Sequence, residues 1–259
     1  PAHLHILMAT QLAKRGVGLL IEEPLSTSPH GVDQLAELIE SQRLPVSIAY
    51  VMRQHPALHA IKAAIDSGRF GRPVQIVYSG GQHFPFYRPA YRETYYTRHE
   101  TGGGAIQDAL THMVNAAEWL VGPVTRLVAD AEHCVLEGVD VEDTVHLITR
   151  HCAVPGSFSL NQHQPVNEST LTILCERGSV RYEGHHASWS SCVEPDSDWQ
   201  IEEQFSLERD DLFVLQARAF LSQLDGHSEA ACSLAEGLQT LRVNLAALES
   251  VDTESWKHL

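Results

Sequence analysis

Leu4, Leu7, Met8 and Leu12 recur at helical spacing and predict a helix over residues 5–15, with Gly16 in the position that stops it. Residues 17–21 then form a short continuous apolar run, the pattern of a strand buried on both faces, which ends at Glu22-Glu23-Pro24. A helical pattern over 31–42 (Val32, Leu35, Leu38, Ile39), a strand over 46–51 and a helix over 56–67 stopped by Gly68 follow. Strand and helix alternating in this way predict βαβ units and a parallel sheet. The pattern then changes. Residues 74–79 read as a strand, 80–104 show no period, and 105–120 read as a helix. Period-two alternation over 127–131, 144–149, 158–162, 171–175 and 180–182 predicts antiparallel hairpins instead of crossovers. Two helices, 211–223 and 230–250, close the chain, the second with Leu234, Leu238, Leu241, Leu245 and Leu248 on one stripe. The fold class is therefore α/β followed by α+β, with a large open antiparallel sheet and flanking helices.

Charge and composition narrow the functions. The 259 residues carry 33 Asp+Glu against 18 Lys+Arg, a formal net charge of −15, which argues against binding a phosphate backbone. No apolar run approaches the roughly 18–20 residues of a membrane span, so neither nucleic acid nor membrane is an expected partner. The five cysteines form no CxxC pair and read as free thiols in a reducing, cytoplasmic setting.

The strongest candidate chemistry lies in Gly102 to Asn115. On a helix, Asp108, His112 and Asn115 fall within roughly 60° of one another, while Ile106, Leu110, Met113 and Ala117 lie opposite. A carboxylate one turn before an imidazole orients the ring and supports its protonated form. The glycine triplet Gly102-Gly103-Gly104 lets backbone approach a ligand closely. An ordinary amphipathic helix with a polar outer face fits the same spacing. Glu22-Glu23-Pro24 stands at the carboxyl end of a buried strand, where open parallel sheets bind ligands; a solvated loop is the alternative. Arg88, Tyr91, Arg92, Tyr95, Tyr96, Arg98 and His99 cluster just before the triplet and suit a polyhydroxylated or anionic ligand, or a subunit contact. His185-His186 with Cys192 lacks an evident third or fourth ligand, so no metal is expected. The sequence contains no GxGxxG, no P-loop and no GxSxG.

Taken together, these residues resemble the Gfo/Idh/MocA family of nicotinamide-dependent oxidoreductases. The resemblance runs through Pro1 to His5, Glu22-Glu23-Pro24-Leu25, Arg53-Gln54-His55-Pro56 with Gly68 and Gly71, and the GGG…D…H segment from Gly102 to Asn115. It departs where the family lysine is replaced by Glu23, the glycine between Asp and His by Leu110, and the final Asp by Asn115. It implies a partial Rossmann-like dinucleotide-binding segment over 1–55 and a substrate-binding and oligomerisation domain over 56–259. About three βα units of ~30 residues each are expected upstream, which makes the chain a fragment of a longer frame.

The resemblance implies NAD or NADP as cofactor and hydride transfer to or from a sugar, polyol or related carbinol. His112, Asp108 and Glu23 are then the catalytic group. Glu22, Pro24, His5 and Arg53 would contact the cofactor, and Asn115, Arg88, Tyr91 and Arg92 the substrate. A homodimer or homotetramer through the antiparallel sheet is implied as well. A non-catalytic sensor or scaffold, or an NAD-dependent glycosidase, remain as alternatives. Because the glycine-rich pyrophosphate turn is missing from these 259 residues, calorimetric titration of this chain with NADH or NADPH should show binding weaker than micromolar.

Overall fold

The computed structural model describes all 259 residues. The chain opens with α1 (His5–Ala13), β1 (Leu19–Ile21), α2 (Val32–Gln42) and β2 (Val46–Ile48). β1 and β2 pair in parallel, Leu19 opposite Val46 and Ile21 opposite Ile48. Ile6, Ala9 and Ala13 of α1 and Val32 and Leu35 of α2 cover this small sheet and form its own apolar core. The strand expected over 46–51 stops at Ile48 because the chain then tightens into a 3-10 turn, Val51–Gln54.

α3 (Pro56–Asp66) leads into a nine-stranded sheet built from β3 (Pro73–Gly81), β4 (Arg126–Glu132), β5 (Thr144–His151), β6 (Val154–Asn161), β7 (Glu168–Cys175), β8 (Gly178–Glu183), β9 (Ser188–Cys192), β10 (Gln200–Gln204) and β11 (Lys257–His258). The order is β10-β9-β8-β7-β3-β6-β5-β4-β11. The remaining helices are α4 (Phe84–Tyr87), α5 (Thr111–Val121), α6 (Asp211–Leu224) and α7 (Leu234–Thr253). α3, α5 and α7 bury one face of the sheet in a core of 31 residues. α7 serves both cores: Leu241 enters the small one, while Val243 and Ala247 enter the large one. No helix is long and apolar enough to cross a membrane.

The expectation of hairpins over 127–182 fails between β6 and β7, which do not pair. β3 runs parallel to β6, with Ile76 opposite Gly156, because β3 is inserted between strands that come much later in the chain. Three strands also escape the sequence pattern. β9 reads as Ser-Trp-Ser-Ser-Cys, yet Ser188, Ser190 and Ser191 are all buried. β10 is an exposed edge strand without apolar alternation, and β11 has two residues. Period alone cannot find such strands, since their pairing comes from the neighbouring strand.

His55 shows how burial couples this fold to pH. Its Nδ1 accepts the Ala57 N–H at 3.2 Å, capping α3, and its ring stands edge-on to Tyr182. Burial, with a smaller contribution from His59, pushes its pKa down to about 4. Between pH 6.5 and 4 the unfolded chain therefore holds a proton at this site that the folded chain does not. Stability should fall as pH drops through that window, by up to about 3 kcal/mol from this residue. In His55→Asn, which keeps a capping acceptor, urea midpoints measured against pH should decline less steeply between pH 6.5 and 4 than in the parent.

Candidate active site

The site is assembled from two directions. On one side β1 delivers the chain at its carboxyl end into Glu22, Glu23 and Pro24, and the fully buried Leu25 anchors the turn. The Ala49 N–H donates to Ile21 O at 2.8 Å, so this exit is tied to the end of β2. On the other side the expected helix over 105–120 is not uniformly α. Ile106–Leu110 forms a π turn that runs directly into α5. The i→i+5 bonding of a π turn inserts an extra residue and turns the side chains of that stretch relative to the helix that follows. Asp108, Ala109 and His112 thereby face Glu22, Glu23 and Pro24 across a cavity of about 350 Å³.

The glycines before the π turn set its approach. A Cβ at Gly103 would lie 2.0 Å from the Tyr96 carbonyl oxygen, and backbone there cannot yield. Gly102 (φ 97°) faces Ala2, whose Cβ would be 2.8 Å from an added methyl.

Inside the cavity, His112 Nε2 lies 3.2 Å from Glu23 Oε1, and His112 Nδ1 is buried without a partner. Asp108 is held from two sides: Tyr95 donates its hydroxyl to Oδ1 at 2.6 Å, and Gln162 donates Nε2 to Oδ2 at 3.0 Å. Gln162 is itself oriented by accepting the Tyr96 hydroxyl. His5 Nδ1 donates to the Pro24 carbonyl at 3.0 Å and joins the wall beside Glu22.

Three carboxyl groups share this space with little positive charge, and the titrations follow from that. Burial, reinforced by Asp108 and Glu22, raises the Glu23 pKa well above the usual carboxylate range. Burial also raises Asp108, although Tyr95 and His112 oppose it. Burial lowers His112 against the pull of Asp108 and Glu22. The shifts at Glu23 and His112 favour an uncharged carboxyl beside an uncharged imidazole over a carboxylate–imidazolium ion pair. Such a pair can pass a proton to or from a ligand oxygen.

The structure thus brings together His5, Glu22, Glu23, Pro24, Arg88, Asp108 and His112 around one cavity. It sends others elsewhere. Arg53 is buried away from the cavity, donating Nε to Asn115 Oδ1 at 2.7 Å and pairing with Glu236 at 2.8 Å. Asn115 is buried with it and donates to Thr240 Oγ1 at 3.0 Å. The polar arc on the helix has Asp108 and His112 facing the cavity, but its Asn115 end is covered by Arg53 and α7, so burial overrides angle there. Tyr91 is buried and donates to Glu137 O, and Arg92 is exposed and donates to the same carbonyl; neither lines the cavity. Gln82, Phe84 and Gln162 were not legible as site residues, since only tertiary pairing carries them there. At the turn after β8, Glu183 joins His185 and His186 with ligand atoms within 4.8 Å of one another. Cys192, the sequence candidate for that group, contacts Ser197 instead.

Residues 58–181 match the family model for the GFO/IDH/MocA C-terminal domain. That stretch, just under half of the chain, is similar to the Gfo/Idh/MocA family. Levoglucosan dehydrogenase of Pseudarthrobacter phenanthrenivorans is 23% identical over 302 residues, spanning 99% of this chain and 77% of that protein. Inositol 2-dehydrogenase of Pseudomonas syringae pv. syringae is 30% identical over 122 residues, 47% of this chain and 32% of that protein. The fold matches a solved structure of levoglucosan dehydrogenase in complex with NADH and levoglucosan, with a TM-score of 0.88 at 20% identity over 100% of this chain and 78% of that one. An NAD binding oxidoreductase from Klebsiella pneumoniae superposes with a TM-score of 0.87 at 18% identity, covering 100% of this chain and 78% of that one.

Within this fold the Gly103 contact yields a direct test. Gly103→Ala forces the Tyr96 segment and the π turn apart, and should destabilise the protein by at least about 2 kcal/mol, read as a lowered denaturant midpoint.

Proposed function

We propose that this protein is an NAD(P)-dependent oxidoreductase that moves a hydride between a carbinol carbon of a sugar or polyol and the nicotinamide. The observation that carries the reading is the convergence of His112, Glu23 and Asp108 on one cavity at the carboxyl end of β1. The dehydrogenase relatives support it at the level of reaction class.

The residues present fit the nicotinamide end of the cofactor. Ala2, His5, Glu22 and Pro24 would flank the ring, with His5 braced on Pro24 O and Gly102 leaving room at Ala2. When bound, the nicotinamide accepts or gives up the hydride. The protein's part is to hold the carbinol and manage its proton. His112, uncharged in its buried setting, takes the hydroxyl proton at Nε2 during oxidation. Asp108, fixed by Tyr95 and Gln162, accepts from a neighbouring substrate hydroxyl. Glu23 stands where the family carries lysine. In its protonated form it can donate a hydrogen bond to the oxygen that becomes negative as the hydride leaves; ionised, it would repel that charge.

The outer face of the large sheet supports a homodimer or homotetramer. On β5, His146 and Ile148 point away from the covered core, and Ile148 is 52% exposed. The substitution at Glu23 favours a second reading, a sugar-binding member that performs no turnover.

The pH dependence of oxidation separates these readings. The rate should fall as pH drops through the lowered His112 pKa, because the base becomes protonated. It should fall again as pH rises through the raised Glu23 pKa, because the donor ionises. Glu23→Gln should keep the acid limb and lose the alkaline one. His112→Ala should lose roughly 10²–10⁴ in kcat/KM. Unchanged turnover in His112→Ala overturns the assignment, and sugar binding without turnover in the parent establishes the second reading.

A further inference from the structure

We propose that a second-ring subsite adjoins the reaction cavity, so that the substrate is a neutral glycoside whose reacting sugar carries a further flat ring, and not a free monosaccharide. The inference rests on the oxidoreductase reading above. A second cavity of about 400 Å³ lies beside the first and shares Phe84, Arg88 and Tyr95 with it. The reaction cavity, at about 350 Å³, falls near the lower end of the roughly 300–1,000 Å³ that small-molecule sites occupy. The two together suit a ligand longer than one ring.

The second cavity has the surface chemistry of a stacking platform. Three of its four tyrosine hydroxyls are engaged outside it: Tyr91 donates to Glu137 O, Tyr95 to Asp108 and Tyr96 to Gln162, while the Tyr87 hydroxyl makes no hydrogen bond within the protein. What remains toward the ligand is mostly ring surface, with the Tyr87 hydroxyl as one open polar group. Tyr87 and Tyr95 stay 46% and 45% exposed although aromatic side chains are costly to leave in water. A pyranose lays its C–H face on such a ring while its hydroxyls point sideways into water, and an aryl group stacks on it in the same way. Arg88 stands where the two cavities meet and is anchored through its backbone N–H, which donates to Phe84 O at 2.7 Å. Its guanidinium enters none of the ion pairs of the protein, so its donors are free for the bridging oxygen or the hydroxyls on either side of it. Glu22 and Asp108 next door disfavour an anionic second ring.

The test measures binding by titration and saturation-transfer NMR, with and without NADH, so that it does not depend on turnover. The ligands are methyl hexosides, disaccharides built on the same hexoses, and phenyl hexosides. A disaccharide should bind roughly tenfold more tightly than its methyl hexoside, with saturation on both rings. Tyr87→Ala should reduce that advantage. Ala90→Trp, which fills the second cavity from an exposed position, should abolish it and leave methyl hexoside affinity unchanged. The same pattern with phenyl hexosides alone assigns the subsite to an aryl aglycone. Equal affinity for one- and two-ring ligands, or parallel loss of both in Ala90→Trp, overturns the subsite and leaves the oxidoreductase reading standing. No binding by any of the sugars overturns both.

Discussion

The buried guanidinium of Arg53 constrains most of what surrounds the site. A desolvated cation must find partners, and Arg53 finds them on two helices, α5 and α7. It donates to Asn115 on α5 and to Glu236 on α7, and lies over the ring of Trp119. Glu236 also completes the capping box of α7 with Ser233, so one carboxylate both starts that helix and pairs the buried charge. The segment leaving β2, the helix carrying His112 and the helix closing both cores are thereby held in one register. Further along α5 the seam continues as Thr111, which accepts from Asn244 of α7 and contacts the Tyr50 hydroxyl. A polar helix–helix contact of this kind tolerates little sliding, because each slip would leave buried groups unpaired.

That rigidity matters because the cavity combines groups that would separate if they could. Glu22, Glu23 and Asp108 share a space with His112 at the junction of the small parallel sheet and the large one. Held there, Glu23 and His112 are both driven toward their uncharged forms, and Asp108 keeps its orientation only through Tyr95 and Gln162. The site therefore uses residues from β1, the loop before the π turn, the π turn itself, α5 and the end of β6. Each is fixed by packing that has nothing to do with a ligand, which is how a site comes to be preorganised.

Much of this was legible along the chain. Hydrophobic period marked α2, α3, α5 and the long α7, and alternation marked β4 to β8, because these elements bury one face and the sequence must write that face; in α1 the period found the helix but not its buried face, since Leu7, Met8 and Leu12 are exposed and Ile6, Ala9 and Ala13 are buried. The acidic turn after β1 and the glycine triplet before Asp108 and His112 could also be read locally. Their chemistry depends on residue types at the end of a strand and on one helical turn, and both are short-range properties.

What the sequence alone determined was therefore the set of elements and the residues that could carry chemistry. Tertiary structure decided which of them meet. Asn115 and Arg53 look like site residues along the chain, yet each satisfies the other in the interior, since a buried polar group is governed by its partners and not by its helical angle. Tyr95 and Gln162 gain their place only because the loop before the π turn and the end of β6 close on Asp108. The parallel β3–β6 pairing and the seating of the serine-rich β9 were likewise invisible, because a strand's partner and its burial are supplied by distant segments.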